Sequence, residues 1–327
     1  MKVISCDLCG GRNSHLLYET TDRRFPVEGS FQMVECEGCG LLYLNPQPDA
    51  VELRNHYETG NYDVHRKEGI AANIAGNEKL NFWRMMRKAL LKPMTRLFPA
   101  LKEEIEKELT LLGPFGSGTR VLDVGCGLSD ALSVYRQKGA ITYGVDINDQ
   151  VCEEGTKDGH RMFCGQLPEA GFENEFFDII RFQQSLEHTP SPRRMLLEAR
   201  RILKRGGRVW VSVPNHESAQ ARLFGRWFYA IESPRHLFGF TPRTITRLLV
   251  ETGLQPEHFH TYSMPGGVCF SFEYWLNDHF PRHERFYYGR IKAKWWYILA
   301  EVLLFFPGIL ANSFDFGEYM VVCGRSP

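Results

Sequence analysis

Two acids and two glycines are spaced as they would be around a bound nucleoside. Asp123 precedes Gly125 and Gly127, and a second acid, Asp146, comes about 20 residues after this glycine turn. Glycines let the main chain lie against a ligand, because a Cβ would collide with it. The Asp146 carboxylate can accept hydrogen bonds from both ribose hydroxyls. The pattern predicts a site for a nucleoside-type ligand.

The residues after the turn argue against a bound phosphate. No Gly-Lys-Ser or Gly-Lys-Thr follows, so a P-loop is excluded. A dinucleotide fold would have a third glycine at the start of the next helix, where this chain has residues 128–130, ending on Asp130. A carboxylate there repels phosphate, so we expect a ligand without a diphosphate.

Four of the nine cysteines form two Cys-x-x-Cys pairs: Cys6, Cys9, Cys36 and Cys39. Four thiolates at this spacing complete a tetrahedral zinc site and leave no position open for substrate, so the predicted site is structural. Redox chemistry is the alternative for a single pair.

The other cysteines are scattered, and the N-terminus has no apolar run of signal-peptide length. Both features predict a cytoplasmic protein.

Alternating strand and helix patterns must position these residues. Strands are predicted at 121–124, 141–145 and 208–213, and a helix over 193–203 is expected to stop at the glycine pair 206–207. This order predicts a doubly wound α/β fold with a mostly parallel sheet. Ligands of such sheets bind at the carboxyl ends of the strands.

Three histidines are candidate general bases. His188 and His236 lie in loops expected at the carboxyl edge, and His216 is the third candidate. A purely structural role is the alternative for each. Glu187 is expected to orient a neighbour or to cap the following turn.

Several motifs resemble the class I S-adenosylmethionine-dependent methyltransferases. They are the Asp-x-Gly-x-Gly turn closed by Asp146, Leu-Glu-His-Thr-Pro at 186–190, Leu-Lys-x-Gly-Gly at 203–207, and residues 235–242. The resemblance implies a Rossmann-like, seven-stranded sheet with an antiparallel last strand near 318–324. It also implies S-adenosylmethionine as the cofactor, and the two cysteine pairs resemble a zinc ribbon.

The resemblance also implies which residues contact the cofactor. These are Asp123, Gly125, Cys126, Gly127, Asp146, Ile147, Gln166, Leu167 and Gln183. Gln166 stands where the family often has an aspartate beside adenine, and an amide can both donate and accept there.

The expected domain organisation has three parts. Residues 1–48 form the zinc-ribbon module, 49–112 a linker with N-terminal helices, and 113–327 the methyltransferase domain, which carries an aromatic and apolar insertion at 264–315.

The expected activity is O-methylation of a small-molecule or lipid-linked acceptor of glycan, quinone or natural-product type, because the Leu-Glu-His arrangement resembles enzymes acting on such acceptors. The Asn/Asp-Pro-Pro-aromatic motif typical of nitrogen methylation is absent from the sequence. A zinc-ribbon ribosomal RNA methyltransferase and a sugar C-methyltransferase stay open as alternatives. Basic and acidic residues both number 39, so the formal net charge is zero. The chain therefore lacks the excess of positive charge that is typical of nucleic-acid-binding proteins.

Two segments, 82–98 and 282–310, pair cations with aromatic or apolar residues. Residues 295–310 contain Glu301 and Pro307 and fall short of the roughly 20 apolar residues that span a bilayer. Such segments suit a peripheral membrane surface. Packing on the main domain, or a contact in an oligomer, is the alternative.

Overall fold

The computed structural model describes residues 1–24, 28–57, 104–127, 130–263, 267–280, 311–312 and 314–327. The cationic segments at 82–98 and 282–310, for which a membrane surface is expected, lie outside these residues. Within the described ranges, no helix is both long and apolar enough to cross a bilayer.

The described strands are β1 (Ser14–Thr20), β2 (Phe31–Cys36), β3 (Leu42–Leu44), β4 (Arg120–Val124), β5 (Ile141–Asp146), β6 (Arg161–Cys164), β7 (Phe177–Gln183), β8 (Leu203–Pro214), β9 (Phe238–Gly239), β10 (Gln255–Tyr262) and β11 (Tyr319–Arg325). The described helices are α1 (Ala50–Tyr57), α2 (Glu104–Leu112), α3 (Asp130–Gln137), α4 (Asp149–Lys157), α5 (Pro192–Ile202), α6 (Ala219–Phe224), α7 (Pro242–Glu251) and α8 (Gly267–His279).

Seven strands form the central sheet, in the order β10-β11-β8-β7-β4-β5-β6. The pairs β4–β5, β4–β7, β5–β6 and β7–β8 are parallel. The last strand, β11, is antiparallel to both β8 and β10. This arrangement confirms the predicted doubly wound, mostly parallel sheet with an antiparallel last strand.

Helix α5 agrees within one residue at each end with the helix predicted over 193–203, but the glycine pair 206–207 does not stop it. The helix ends at Ile202 and β8 begins at Leu203, so the glycines lie inside a strand. The N–H of Gly206 donates to the carbonyl of Ser326 (2.9 Å), and the N–H of Ser326 donates to the carbonyl of Gly207 (2.8 Å). These bonds to the chain beyond β11 hold the glycine pair inside an extended strand.

A second, four-stranded sheet has the order β1-β2-β3-β9. Its first three strands come from the N-terminal module, whereas β9 (Phe238–Gly239) lies about 200 residues later in the chain, after β8 of the central sheet. The N–H of Leu44 donates to the carbonyl of Leu237 (2.9 Å), and the rings of Tyr43 and Phe238 stack with centroids 6.4 Å apart. One hydrophobic core runs from Met33 in this module to Leu122 in the central sheet. The two sheets therefore share one packed interior.

A buried ion-pair network fixes α2 on the other face of the central sheet. The Arg181 Nη1 donates to Asp123 Oδ2 (3.0 Å), and its Nε donates to Glu108 Oε1 (2.6 Å). The hydroxyl of Tyr135 also donates to Glu108. Burial raises the pKa of Asp123 to about 6, against the lowering effect of Arg181. Arg181 thus compensates two carboxylates that are removed from water.

We predict that Arg181→Met lowers the free energy of unfolding by about 3–5 kcal/mol, because it leaves buried carboxylates without their counter-charge. Urea unfolding at pH 7 measures the change. Lys157→Met, which removes an exposed pair with Glu153, is the control and should change stability by less than about 1 kcal/mol. Equal losses in the two variants would contradict the role given to Arg181.

Candidate functional site

The glycine turn and Asp146 meet at the carboxyl edge of the sheet, because β4 and β5 are parallel neighbours. The N–H of Gly125 donates to the carbonyl of Val145 (2.8 Å). Asp146 Oδ2 accepts the N–H of Gly127 (3.0 Å), and Oδ1 accepts that of Asn148 (3.0 Å). Asp146 is 6% exposed. Two backbone amides thus orient the Asp146 carboxylate, and each oxygen can accept a further hydrogen bond from a ligand hydroxyl.

Both glycines have a positive φ, +71° at Gly125 and +51° at Gly127, which residues with a side chain rarely adopt. A Cβ on Gly125 would lie 2.6 Å from the Cβ of Ser185, whereas a Cβ on Gly127 would meet nothing within 4 Å. The turn is therefore closely packed on the β7 side and open at Gly127. Cys126, between them, is partly buried.

The loop after β6 lies beside Asp146, because the N–H of Gly165 donates to the Asp146 carbonyl (2.8 Å). It brings Leu167, which is 1% exposed, and Gln166 to this edge. Ile147 also lies there with 70% of its surface exposed. An exposed isoleucine beside a polar carboxylate offers an apolar surface to a planar ring.

Two predicted cofactor residues have other contacts. Asp123 faces Arg181 and α2, and its second oxygen, Oδ1, is buried without a hydrogen-bond partner in the described part of the chain. Gln183 accepts a bond from Trp210 Nε1 (3.2 Å) and donates to the hydroxyl of Tyr262 (3.2 Å). Direct contact of these two side chains with the cofactor stays a prediction.

The structure brings His188 and His236 together, with ring centroids 4.5 Å apart and ring planes at 83°. His188 Nδ1 lies 3.0 Å from the Arg235 carbonyl, and His236 Nδ1 lies 2.8 Å from the Ala230 carbonyl. A carbonyl only accepts, so Nδ1 carries the proton in both rings and Nε2 is the unprotonated nitrogen. Burial lowers the pKa of His188 to about 4 and that of His236 to about 3. Both rings are neutral at pH 7.

Glu187 completes this cluster. Its side chain is fully buried, and neither carboxylate oxygen accepts a hydrogen bond from another described residue. Burial raises its pKa to about 8. One ligand atom from each of Glu187, His188 and His236 lies within 4.8 Å of the others. Such a set can exchange protons, and a divalent cation could also bind it.

The third candidate, His216, lies against the same segment of chain. Its backbone N–H donates to the Phe240 carbonyl (2.9 Å), and its ring occupies the space where a Cβ on Gly239 would lie. Burial lowers its pKa to about 4. Segment 235–240 therefore contacts His188 and His216 and contains His236.

Sequence reasoning missed the residues that hold this segment. The Arg235 side chain is fully buried and donates through Nη1 (2.6 Å) and Nη2 (2.9 Å) to the two oxygens of Asp22. Its Nε donates to Glu232 (3.1 Å), which also pairs with Arg24 (2.5 Å). Asp22 and Arg24 follow β1, more than two hundred positions earlier. No local pattern links residues so far apart.

The four predicted metal ligands converge in the N-terminal module. The Sγ atoms of Cys6 and Cys39 are 3.4 Å apart, those of Cys9 and Cys36 are 3.5 Å apart, and all four lie within 4.8 Å of one another. All four are free thiols. Zinc–sulfur bonds of about 2.3 Å imply tetrahedral sulfur spacings close to these. The donor set therefore fits zinc.

We predict that Glu187→Gln stabilises the protein progressively as pH rises. The folded-state pKa of Glu187 (about 8) lies above its ordinary value of 4.5. Its stabilising contribution is therefore complete below about pH 4.5 and lost as pH rises toward 8. Between pH 5 and 8 the variant should gain about 2–4 kcal/mol over the wild type. Unfolding free energies at several pH values measure this gain, and exposed Glu153→Gln is the control. Parallel wild-type and variant profiles would show that the buried carboxyl is ionised.

Comparison with known proteins adds to this geometry. The methyltransferase domain family matches residues 82–259. Curated relatives include the ubiquinone biosynthesis O-methyltransferases of Coxiella burnetii, 30% identical over 162 residues, and of Pseudomonas fluorescens, 29% identical over 183 residues. The first match covers 47% of this chain and 63% of that relative, and the second covers 53% and 72%. The chain thus spans less than two thirds of the Coxiella relative's length.

Among solved structures, geranyl diphosphate C-methyltransferase from Streptomyces coelicolor is 15% identical, with a TM-score of 0.46 and coverage of 68% of this chain and 78% of that one. More than half of the present chain falls within the family match, and the mostly parallel, seven-stranded sheet with its antiparallel last strand is the one that the family resemblance implies. The chain therefore belongs to the class I S-adenosylmethionine-dependent methyltransferases, with a four-cysteine module at its N-terminus.

Proposed function

We propose that the protein transfers the methyl group of S-adenosylmethionine to a hydroxyl oxygen of a small-molecule or lipid-linked acceptor, of quinone, glycan or natural-product type. The observation that carries this proposal is the edge formed by the open glycine turn and the carboxylate of Asp146. The neutral pair of His188 and His236 supports oxygen as the methylated atom, because a hydroxyl must lose its proton.

In this proposal, Asp146 accepts hydrogen bonds from the ribose hydroxyls with the lone pairs left by its two backbone donors. Gly125 keeps Ser185 close behind the turn, and Gly127 leaves space for the ligand. Ile147 covers the adenine, buried Leu167 supports the adenine loop from the core side, and Gln166 bonds the polar edge of the ring. Asp146, Ile147 and Gln166 are thereby each matched to one chemical group of the cofactor.

When bound, S-adenosylmethionine supplies an electrophilic methyl group on a sulfonium. We assign the role of base to Nε2 of His188, because His188 is partly exposed and its Nδ1 already donates to the Arg235 carbonyl. The cofactor would give up its methyl group to the acceptor oxygen and leave as the neutral thioether, and Nε2 of His188 would take the O–H proton of the acceptor. Bond formation makes that proton strongly acidic, so a histidine of low pKa suffices as base. His236 packs edge-on against His188 and maintains its orientation.

The function of the curated relatives, ubiquinone biosynthesis O-methyltransferases, favours a quinone-type acceptor, and the match covers 63% of the first and 72% of the second. A lipid-linked form of the acceptor rests on the sequence of the cationic segments alone. The experiment must therefore compare soluble and lipid-linked acceptors directly.

We expect tritiated S-adenosylmethionine to label dihydroxybenzoates or their prenylated forms, with equimolar release of S-adenosylhomocysteine. Asp146→Ala should abolish labelling and weaken cofactor binding, measured by calorimetry, about tenfold or more, since charge-assisted bonds contribute about 1.5–3 kcal/mol each. Exposed Asp158→Ala is the control. Labelling that increases with anionic vesicles would favour a lipid-linked acceptor, and labelling of ribosomal RNA alone would defeat the proposal. Unchanged cofactor affinity in Asp146→Ala would refute the ribose assignment.

We also propose that Cys6, Cys9, Cys36 and Cys39 hold one structural zinc. The support is the convergence of four thiols with spacings suited to a tetrahedral ion.

Metal analysis should find one zinc per chain in the wild type and in Cys164→Ser, but none in Cys39→Ser. Because metal binding contributes to folding, chelation should speed amide exchange in β1–β3 and leave β4 and β7 protected. A stable, metal-free module with unchanged exchange would contradict the zinc proposal.

A further inference from the structure

We propose that the N-terminal module positions the catalytic histidine, with Asp22 and Arg235 as positioning residues. This inference rests on the proposed function of His188 as the base. It goes further by giving the module a role in the chemistry, whereas a metal-bound scaffold would only stabilise the chain.

The contact chain is short and direct. Asp22 binds both terminal nitrogens of Arg235, and the carbonyl of that same Arg235 accepts the Nδ1 proton of His188 (3.0 Å). The side chain of Arg235 thus belongs to the module interface while its main chain selects the tautomer of His188. Only with the proton on Nδ1 does Nε2 present the lone pair that the proposed reaction requires.

A second connection runs through the backbone. The carbonyl of Leu237 accepts the N–H of Leu44 in the module (2.9 Å), and the N–H of Leu237 donates to the carbonyl of Glu187 (2.8 Å). The backbone of Leu237 therefore has one hydrogen bond to the N-terminal module and one to Glu187. A shift of the module would be transmitted to Glu187, the residue next to His188.

The charges around Arg235 explain why Asp22 controls its placement. The guanidinium is fully buried, and Asp22 accepts two of its hydrogen bonds while Glu232 accepts a third. His56 of α1 also contacts Asp22 through Nδ1 (3.1 Å), so the carboxylate is fixed from a second element of the N-terminal region. Loss of the Asp22 charge leaves Arg235 with the single carboxylate of Glu232, which is shared with Arg24. The loop carrying the Arg235 carbonyl must then rearrange.

The chain offers a matched control in Asp7. This residue also links the module to the methyltransferase domain, because it accepts the hydroxyl of Ser191 (2.6 Å) and the N–H of Arg193 (2.7 Å). Neither bond touches segment 235–240. A purely structural role of the module would make Asp7→Asn and Asp22→Asn equivalent.

The test follows the tautomer of His188 by long-range proton–nitrogen NMR in histidine-labelled protein, with the signal assigned by His188→Gln. Wild type and Asp7→Asn should show a single Nδ1-protonated form, whereas Asp22→Asn should show a second tautomer or exchange broadening. If Asp22→Asn does not fold, Arg235→Lys replaces it, since lysine keeps the positive charge but cannot form the bidentate hydrogen bond with Asp22.

Turnover with S-adenosylmethionine and the best dihydroxybenzoate should fall about 10- to 100-fold in Asp22→Asn. The KM for S-adenosylmethionine should stay within about twofold, because the cofactor edge is untouched. The same tautomer and turnover in Asp22→Asn and Asp7→Asn would overturn the inference. Absence of any methyl transfer by the wild type would defeat the proposed function instead, and the NMR comparison would still decide whether Asp22 sets the His188 tautomer.

Discussion

A buried guanidinium constrains how the two parts of this chain fit together. Removing an arginine from water is costly by several kcal/mol unless its donors are met by well-placed acceptors. Arg235 meets that condition through Asp22 and Glu232, so its loop has a defined conformation when the N-terminal module is docked. Strand β9 and the shared hydrophobic core are consistent with this requirement, since they bring the same loop against β3. The module and the central sheet consequently form one structural unit.

The edge proposed to bind the cofactor depends on a different constraint. Parallel strands end at one edge, and there the backbone of the glycine turn and the carboxylate of Asp146 meet through hydrogen bonds only a few residues from their strands. This edge is local in sequence and needs no contact with the N-terminal module. Cofactor binding and acceptor chemistry can therefore respond separately to substitution.

This difference explains how much could be predicted from the sequence. The mostly parallel sheet and the clustering of the four cysteines follow from short-range spacing, whereas the antiparallel last strand follows from the family resemblance. The structure confirms all three. The pairing of His188 with His236 depends on a loop whose anchor, Asp22, is remote in sequence, so only the candidate histidines could be named. Completion of the module's sheet by β9 was missed for the same reason, since two residues give too short a strand pattern. The stop predicted at residues 206–207 failed because tertiary pairing with the chain after β11 outweighed the local preference of glycine.

The electrostatics of the histidine cluster also suit the proposed reaction. A protonated histidine about 4 Å from a sulfonium would repel it by about 4 kcal/mol at the effective dielectric constant typical of protein sites. Burial prevents this by lowering the pKa of both His188 and His236 well below neutrality. The nearby pairs of Asp22 with Arg235 and Glu232 with Arg24 carry balanced charges, so they add little net field. Under the proposed function, such a site would admit a cationic methyl donor without repulsion, and His188 would gain a positive charge only when it takes up the acceptor proton.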